Sequence, residues 1–359
     1  MSSEFEQRRS LIGAGLENRD LDAMLVTSPA NVRYLAGFTG SNGALLVLGG
    51  DAVFFTDPRY AIQSAHEVSC RTQVCKGPIL PAVAELVSSR RLRRIGFERA
   101  HVSYDAFECL RANLPLNSSL EPMAGWLEAH RMLKSESEIE AIRRSVATNS
   151  KAFEAAARRV RPGMRELDLA AEIDHQMRRL GAEKPSFETI VATGERSALP
   201  HAHPGGAVFR TGQPILIDMG TFRDGYASDM TRMLFPGAPS ARMRRLYGAV
   251  LEAQLAAIDT VRPGVTTARV DGAARKVLKA YKLERAFVHS TGHGLGLEIH
   301  EPPRIGKKDK TKLAAGMTIT IEPGVYLEGL GGIRIEDTVL VTPSGCEVLT
   351  PTSKDLRLV

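Results

Sequence analysis

The chain has 359 residues, of which 43% are hydrophobic and 25% are charged, and its net charge is +6. Because this composition is ordinary for a folded protein and the length exceeds that of one typical core, we expect two domains. The densest basic patch is only RRLRR at residues 90–94, so the charge pattern does not favour nucleic-acid binding.

The N-terminal segment, the apolar runs and the cysteines indicate where in the cell the protein is found. The segment MSSEFEQRRS has no apolar signal-peptide core, and no apolar run is long enough to span a membrane. Cys70, Cys75, Cys109 and Cys346 lack the spacing of a zinc knuckle, which favours reduced thiols. We therefore expect a cytoplasmic protein without a membrane or nucleic-acid partner.

Strands alternate with helices in the first third of the chain, which predicts an α/β domain of normal size. The glycine-rich loop Gly37–Gly43 precedes a predicted strand rather than a helix, which favours a structural loop over a phosphate-binding one and leaves its role open. The pattern predicts helices at Phe5–Leu16, Pro81–Leu92 and Tyr104–Asn113, and strands at Ala23–Val26, Ala44–Leu48, Ala52–Thr56 and Arg94–Phe97.

A capping box marks the start of the second domain. Ser135 can cap a helix and Glu138 can complete the box. We therefore place the domains at residues 1–130 and 131–359. In the second domain the pattern predicts helices at Leu167–Leu180, Ala241–Val261 and Thr266–Tyr281, and strands at Phe187–Val191, Met317–Ile321 and Ile333–Leu340.

The segment Ile215–Phe235 predicts a β-hairpin that carries two acids, with the turn signal Asp224-Gly225 between its strands. Asp218 follows an apolar run and Asp229 precedes another. Two acids brought together in this way would repel, and a shared cation would relieve the repulsion. The alternative is that Asp229 pairs with Arg232 while Asp218 caps a turn.

Three more potential ligands follow the hairpin. His293 lies in a glycine-rich segment, Glu322 ends a predicted strand, and Glu336 lies within another. With the two hairpin acids they fit a site for two divalent metals, which would sit roughly 3.5–4 Å apart and hold a bridging hydroxide. The alternative, several unrelated salt bridges, leaves unexplained why each acid stands in or beside an apolar strand.

The motifs of the second domain are, in order, SALPHAHP, ILIDMG, GYASDMTR, STGHGLGLEIHEPP, IEPGVY and GIRIEDTV. Together they resemble one known family, the pita-bread metallopeptidases, which include methionine aminopeptidase, prolidase and aminopeptidase P. GFTGSNGALLV with TDPRY also resembles the N-terminal domain of the shorter bacterial Xaa-Pro peptidases. The resemblance implies a creatinase-like α/β domain followed by an α+β pita-bread catalytic domain.

The resemblance implies a role for each metal ligand. Asp218 resembles the terminal ligand of one metal, and Asp229 and Glu336 resemble the acids that bridge both metals. His293 and Glu322 resemble the ligands of the second metal, and Glu322 would also handle the proton of the attacking water.

The resemblance also implies residues that contact the substrate. His201 and His300 resemble the histidines that steady the substrate and the tetrahedral intermediate. His289 and Arg334 resemble residues that line the proline side of the pocket in aminopeptidase P. His203 departs from the prolidase-like PHG pattern and receives no role.

The function implied first is an aminopeptidase that cleaves the Xaa-Pro bond at the N-terminus of peptides and acts as a homodimer. The alternative is an Xaa-Pro dipeptidase, or prolidase, which would differ by capturing a carboxylate beyond proline. A non-catalytic peptide-binding homologue and a metal-free creatinase-like hydrolase are disfavoured, because all five ligand positions are filled. We expect manganese, with cobalt or zinc as alternatives.

Overall fold

The computed structural model describes residues 3–359, and these divide into two compact units at the junction of His130 and Arg131. None of the described helices combines the length and the apolar character that crossing a bilayer requires. The first unit contains a six-stranded mixed sheet in the order β4-β3-β2-β1-β5-β6. Its helices are α1 Glu4–Glu17, α2 Pro29–Ala36, α3 Ala61–Glu67, α4 Ile79–Ser89, α5 Tyr104–Asn113 and α6 Trp126–Arg131, which crosses the junction. Its strands are β1 Ala23–Val26, β2 Gly43–Leu48, β3 Ala52–Thr56, β4 Arg71–Val74, β5 Arg94–Glu98 and β6 Ser119–Met123.

The predicted helices and strands of the first unit are confirmed to within three residues at each end. The glycine-rich loop leads into β2, as expected. Helix α2 escaped prediction because it has only eight residues, although its limits are marked by Pro29 at the first turn and by Gly37 with φ of 80° after the last.

The second unit contains four long helices and several small sheets. Its helices are α7 Glu136–Ala157, α8 Glu166–Arg179, α9 Ala241–Thr260 and α10 Thr267–Ala280. Its strands are β7 Lys184–Pro185, β8 Ile190–Thr193, β9 Ile215–Met219, β10 Thr221–Arg223, β11 Tyr226–Ala227, β12 Met230–Phe235, β13 Gly292–Gly294, β14 Glu301–Ile305, β15 Thr318–Ile321, β16 Gly324–Leu327, β17 Gly331–Arg334, β18 Asp337–Val341, β19 Cys346–Val348 and β20 Arg357–Leu358. The larger sheets have the orders β20-β12-β9-β8 and β14-β13-β15-β18-β19.

Each of these two sheets packs against a pair of helices. Apolar residues of α7 and α8 pack against β8, β9 and β12, and those of α9 and α10 pack against β14, β15, β17 and β18. The capping box at Ser135 and Glu138 is present and starts α7. Residues of β9 and β12 belong to both apolar cores, so this strand pair lies between the two helix pairs.

The hairpin prediction is confirmed, with an added detail. β9 and β12 pair antiparallel and place Asp218 opposite Thr231. The connection forms two further short strands around Asp224 and Gly225, whose φ values of 53° and 75° fit a type I′ turn. A Cβ atom at Gly220 would come within 2.1 Å of the carbonyl oxygen of Ser228, so only glycine fits there.

Two strand predictions are wrong in part. Ile333–Leu340 is not one strand, because the chain leaves β17 after Arg334 and enters β18 of another sheet at Asp337. This break puts Glu336 at a corner rather than inside a strand. Phe187–Val191 begins as a strand only at Ile190, where pairing with β9 starts.

Candidate metal centre

The five predicted metal ligands line one cavity of about 800 Å³ in the second unit. Asp229, His293 and Glu336 each offer a ligand atom, and these atoms lie within 4.8 Å of one another. His293 Nε2 lies 3.5 Å from Asp229 Oδ2 and 3.4 Å from Glu322 Oε1. The hairpin adds Asp218, since the residue opposite it on β12 is two positions past Asp229 and therefore shares its face.

Three carboxylate oxygens of this cavity lack a partner, which tests whether a metal fits. Asp218 Oδ1, Asp229 Oδ1 and Glu336 Oε1 are buried and accept no hydrogen bond from residues 3–359. A buried polar atom without a partner costs free energy. Within residues 3–359, Arg334 is the one Arg or Lys that pairs with any of Asp218, Asp229, Glu322 and Glu336, through Asp218, so full ionisation would leave negative charge in excess among these acids. Two divalent cations suit both the unpaired oxygens and this excess charge.

The acids resist ionisation without such cations. Burial and the charges of Asp218 and Glu322 raise the pKa of Asp229 well above its usual value. Burial and the charge of Asp229 do the same to the pKa of Glu336. Burial also raises the pKa of Glu322, although the charges of nearby groups partly oppose the shift. Raised carboxyl pKa values are the mark of negative charge held without enough compensation.

His293 has the form of a metal ligand. Its Nδ1 lies 2.9 Å from the carbonyl oxygen of Gly294, to which it can donate a proton. This bond leaves the lone pair of Nε2 directed at Asp229 and Glu322. A Cβ atom at Gly294 would come within 2.2 Å of the carbonyl oxygen of Pro302, so glycine is needed beside this ligand.

Two threonines orient the acids. The Thr231 hydroxyl donates to Glu336 Oε2 at 2.7 Å and accepts a bond from Arg334 at 3.1 Å. The Thr320 hydroxyl donates to Glu322 Oε1 at 3.2 Å and accepts from the backbone N–H of His293 at 3.1 Å. Neither threonine was predicted as a site residue, although each stands two positions from an acid, a spacing that puts both side chains on one face of a strand.

Arg334 and His289 both contact the hydroxyl group of Tyr326. Arg334 donates to Asp218 Oδ2 at 2.5 Å and to the Tyr326 hydroxyl oxygen at 2.7 Å. The same hydroxyl lies 2.9 Å from His289 Nε2, to which it can donate its proton. Burial and the charge of Arg334 lower the pKa of His289 to about 4, so His289 is neutral near pH 7. Tyr326 was missed because nothing in IEPGVY shows which residues its side chain meets.

The remaining predicted histidines also line the cavity. The rings of His300 and His293 meet edge to face with centroids 4.5 Å apart. Burial and the charge of His293 lower the pKa of His300. His201 is exposed on the cavity wall, and so is His203, whose Nδ1 lies 3.1 Å from Glu188. The cavity therefore contains every predicted site residue.

The structure does not have the alternative arrangement in which Asp229 pairs with Arg232 and Asp218 caps a turn. Arg232 binds Asp337 at 2.7 Å rather than Asp229, and it also donates to four backbone carbonyls. Asp218 lies on β9 and pairs with Arg334, so it does not cap a turn.

Comparison with known proteins agrees with this geometry. The family model described as metallopeptidase family M24 matches residues 140–343, and the one described as creatinase/prolidase N-terminal domain matches residues 8–133. An Xaa-Pro dipeptidase of Pyrococcus furiosus is 36% identical over 341 residues, which are 95% of this chain and 97% of that protein.

Solved structures give the same result. An Xaa-Pro dipeptidase from Bacillus anthracis has a TM-score of 0.96 at 34% identity, covering 99% of this chain and 100% of the other. An X-Pro aminopeptidase from Thermotoga maritima has a TM-score of 0.90 at 34% identity, covering 95% and 98%. The predicted fold class, a creatinase-like α/β domain before a pita-bread domain, is thereby confirmed. The chain belongs to metallopeptidase family M24.

Proposed function

We propose that this peptidase hydrolyses Xaa-Pro bonds with two divalent cations held by Asp218, Asp229, His293, Glu322 and Glu336. The observation that carries the proposal is the set of buried carboxylate oxygens without partners around His293. Bound cations would polarise the scissile carbonyl and lower the pKa of water. The oxygen-rich ligand set favours manganese over cobalt or zinc.

The protein's own side chains supply the other functions. Glu322 takes the proton of the attacking water, a role that the family resemblance implies and that its position 3.4 Å from His293 Nε2 supports. His201 and His300 donate hydrogen bonds to the developing oxyanion. His289 and Arg334, held together through a tyrosine, form the wall that contacts proline.

Of the two candidate activities, we propose the dipeptidase as the main one. The sequence motifs favoured the aminopeptidase, but the alternative is better supported by the relatives that are named dipeptidases and by one cation of the cavity. That cation is Arg304. It lies opposite His293 in the β13–β14 register, so its side chain projects from the same face.

Arg304 is suited to bind the carboxylate of a dipeptide. Its guanidinium is exposed on the cavity wall and has no acceptor among the residues that the structure describes. Lys307 and Lys308 follow on the same exposed loop and add positive charge near it. A free guanidinium binds a carboxylate with two parallel hydrogen bonds. In an Xaa-Pro dipeptide the α-carboxylate of proline is free, whereas in a longer peptide the same group is part of a neutral amide.

The first experiment measures hydrolysis of Ala-Pro beside Ala-Pro-Ala with manganese and then after chelation. We expect cleavage of both bonds to require metal and kcat/KM to be higher for the dipeptide. Preferred cleavage of the tripeptide would favour the aminopeptidase. If neither is cleaved with manganese, cobalt or zinc, the proposed substrate class is wrong.

Replacement of Arg304 tests the carboxylate contact. Arg304→Met is expected to lower kcat/KM for Ala-Pro by about 10–100-fold, because a hydrogen bond to a charged group contributes about 1.5–3 kcal/mol. The same variant should cleave Ala-Pro-amide, which lacks the carboxylate, as the unmodified protein does.

The matched control is Lys310→Met, which removes an exposed cation of the same loop that does not line the cavity. The proposed contact would be contradicted if Arg304→Met lowered kcat/KM equally for Ala-Pro and Ala-Pro-amide. It would also be contradicted if Lys310→Met lowered kcat/KM for Ala-Pro as much as Arg304→Met does.

We also propose a cytoplasmic homodimer. The four free cysteines support a reducing compartment, and the family resemblance supports the dimer. Light scattering of the purified protein would give twice the 39.0 kDa mass of the chain if the dimer exists.

A further inference from the structure

His300 is brought beside His293 by a loop between two strands. It lies seven residues past His293, yet the two rings are 4.5 Å apart. The connection is a loop, residues 295–300, that leaves β13 and returns at β14. Gly294 pairs with Glu301 across the base of this loop, and the register shifts between His293 and Gly294.

The residue directly after His300 is held by buried cations. The Glu301 side chain is only 2% exposed, and its carboxylate binds Lys134 Nζ at 3.1 Å and the Arg131 guanidinium. It also accepts the backbone N–H of Glu298 at 3.1 Å. Burial opposes its charge, but Lys134 and Arg131 hold its pKa below the usual value.

The same cations hold the rest of the loop. Arg131 also binds Glu298 Oε2 at 2.8 Å, so one guanidinium contacts both the middle of the loop and its end. A Cβ atom at Gly296 would lie 3.0 Å from both Glu301 carboxylate oxygens and from Lys134 Cε, so the loop backbone packs directly on this cluster.

We propose that Glu301, held by Arg131 and Lys134, is a positioning residue that fixes His300 against His293. The inference rests on the proposed role of His300 as an oxyanion donor. Arg131 and Lys134 pair with Glu298 and Glu301, so a loop that moved away would separate buried cations from these carboxylates. A loop that moved by about 1 Å would misplace His300 and slow turnover by about 100-fold.

The test is a double-mutant cycle on metal-loaded protein. Glu301→Gln is expected to lower kcat for Ala-Pro by about 10–100-fold with little change in KM, because a misplaced His300 loses transition-state contact. In a His300→Ala background, Glu301→Gln should change kcat by less than about twofold. Glu301→Asp, which keeps the charge, should recover part of the loss.

A purely structural role for Glu301 predicts a different result. The two substitutions would then lower kcat by independent factors, and that outcome would overturn the proposal. Bound metal per chain should stay unchanged in Glu301→Gln, and its loss would also overturn the proposal. The control Glu347→Gln, which removes a carboxylate paired with Arg143 elsewhere in the same unit, should leave kcat unchanged.

Two further results separate the possible failures. If Glu301→Gln does not fold, Lys134→Met replaces it in the cycle, since Arg131 still binds Glu301 there. An unmodified protein that cleaves no Xaa-Pro bond overturns the proposed function and with it this inference. An active protein with independent effects at Glu301 and His300 overturns the positioning role alone.

Discussion

Asp229→Ala and Glu336→Ala are each expected to lower kcat/KM for an Xaa-Pro substrate by at least about 1,000-fold while the fold stays largely intact, a loss of about 4 kcal/mol of transition-state stabilisation. Both acids lie within ligand distance of His293, and each keeps one buried oxygen without a partner. Burial disfavours the charged form of both carboxyl groups, so removing either group should not lower the stability of the metal-free fold.

The measurement combines steady-state kinetics with metal analysis and thermal unfolding. Glu328→Ala, which removes an exposed carboxylate near the same strands, serves as the control and should keep full activity. Normal activity in metal-replete Asp229→Ala protein would sink the two-metal proposal.

Removal of the cations should abolish hydrolysis and destabilise the fold more at neutral than at acidic pH. The folded, metal-free protein raises the pKa values of Asp229, Glu322 and Glu336 above those of the unfolded chain, which are about 4. Raised values mean that the folded state binds protons more tightly. This contribution to stability is present below about pH 4 and is lost as pH rises through the folded pKa values.

Two measurements check this expectation. The Tm of the chelated protein should be lower than that of the manganese-loaded protein, and this gap in Tm should widen from pH 5 to pH 7.5. The reason is that bound cations replace the protons that the acids lose as the pH rises. Calorimetric titration of manganese in buffers with different ionisation enthalpies should detect proton release, more of it at the lower pH. A constant gap in Tm together with no proton release would show that the acids are not the ligands.

Local signals were enough to predict most of the elements that carry the site. Residue periodicity predicted the long helices, the capping box predicted the start of α7, and Asp224-Gly225 predicted the turn of the hairpin. These features depend on neighbours within a few residues, so the sequence contains them directly. Four of the five candidate ligands were found because acids next to apolar strands conflict with burial, which is itself visible in the sequence. The fifth, His293, was found by its place in a glycine-rich segment.

Contacts between distant residues were decided only by the tertiary structure. Arg334 binds Asp218 across 116 positions, and Arg131 binds Glu301 across 170. No periodicity links such partners, so the roles proposed for Arg304 and Glu301 could not be predicted.

The break between β17 and β18 has the same origin. Ile333–Leu340 has the composition of one strand, but pairing with different neighbours splits it and turns Glu336 toward the acids of the hairpin. The sequence by itself determined which residues could bind metal. The pairing of strands far apart in the chain decided which of these residues lie close together. Strand pairing depends on the packing of whole sheets rather than on local preference.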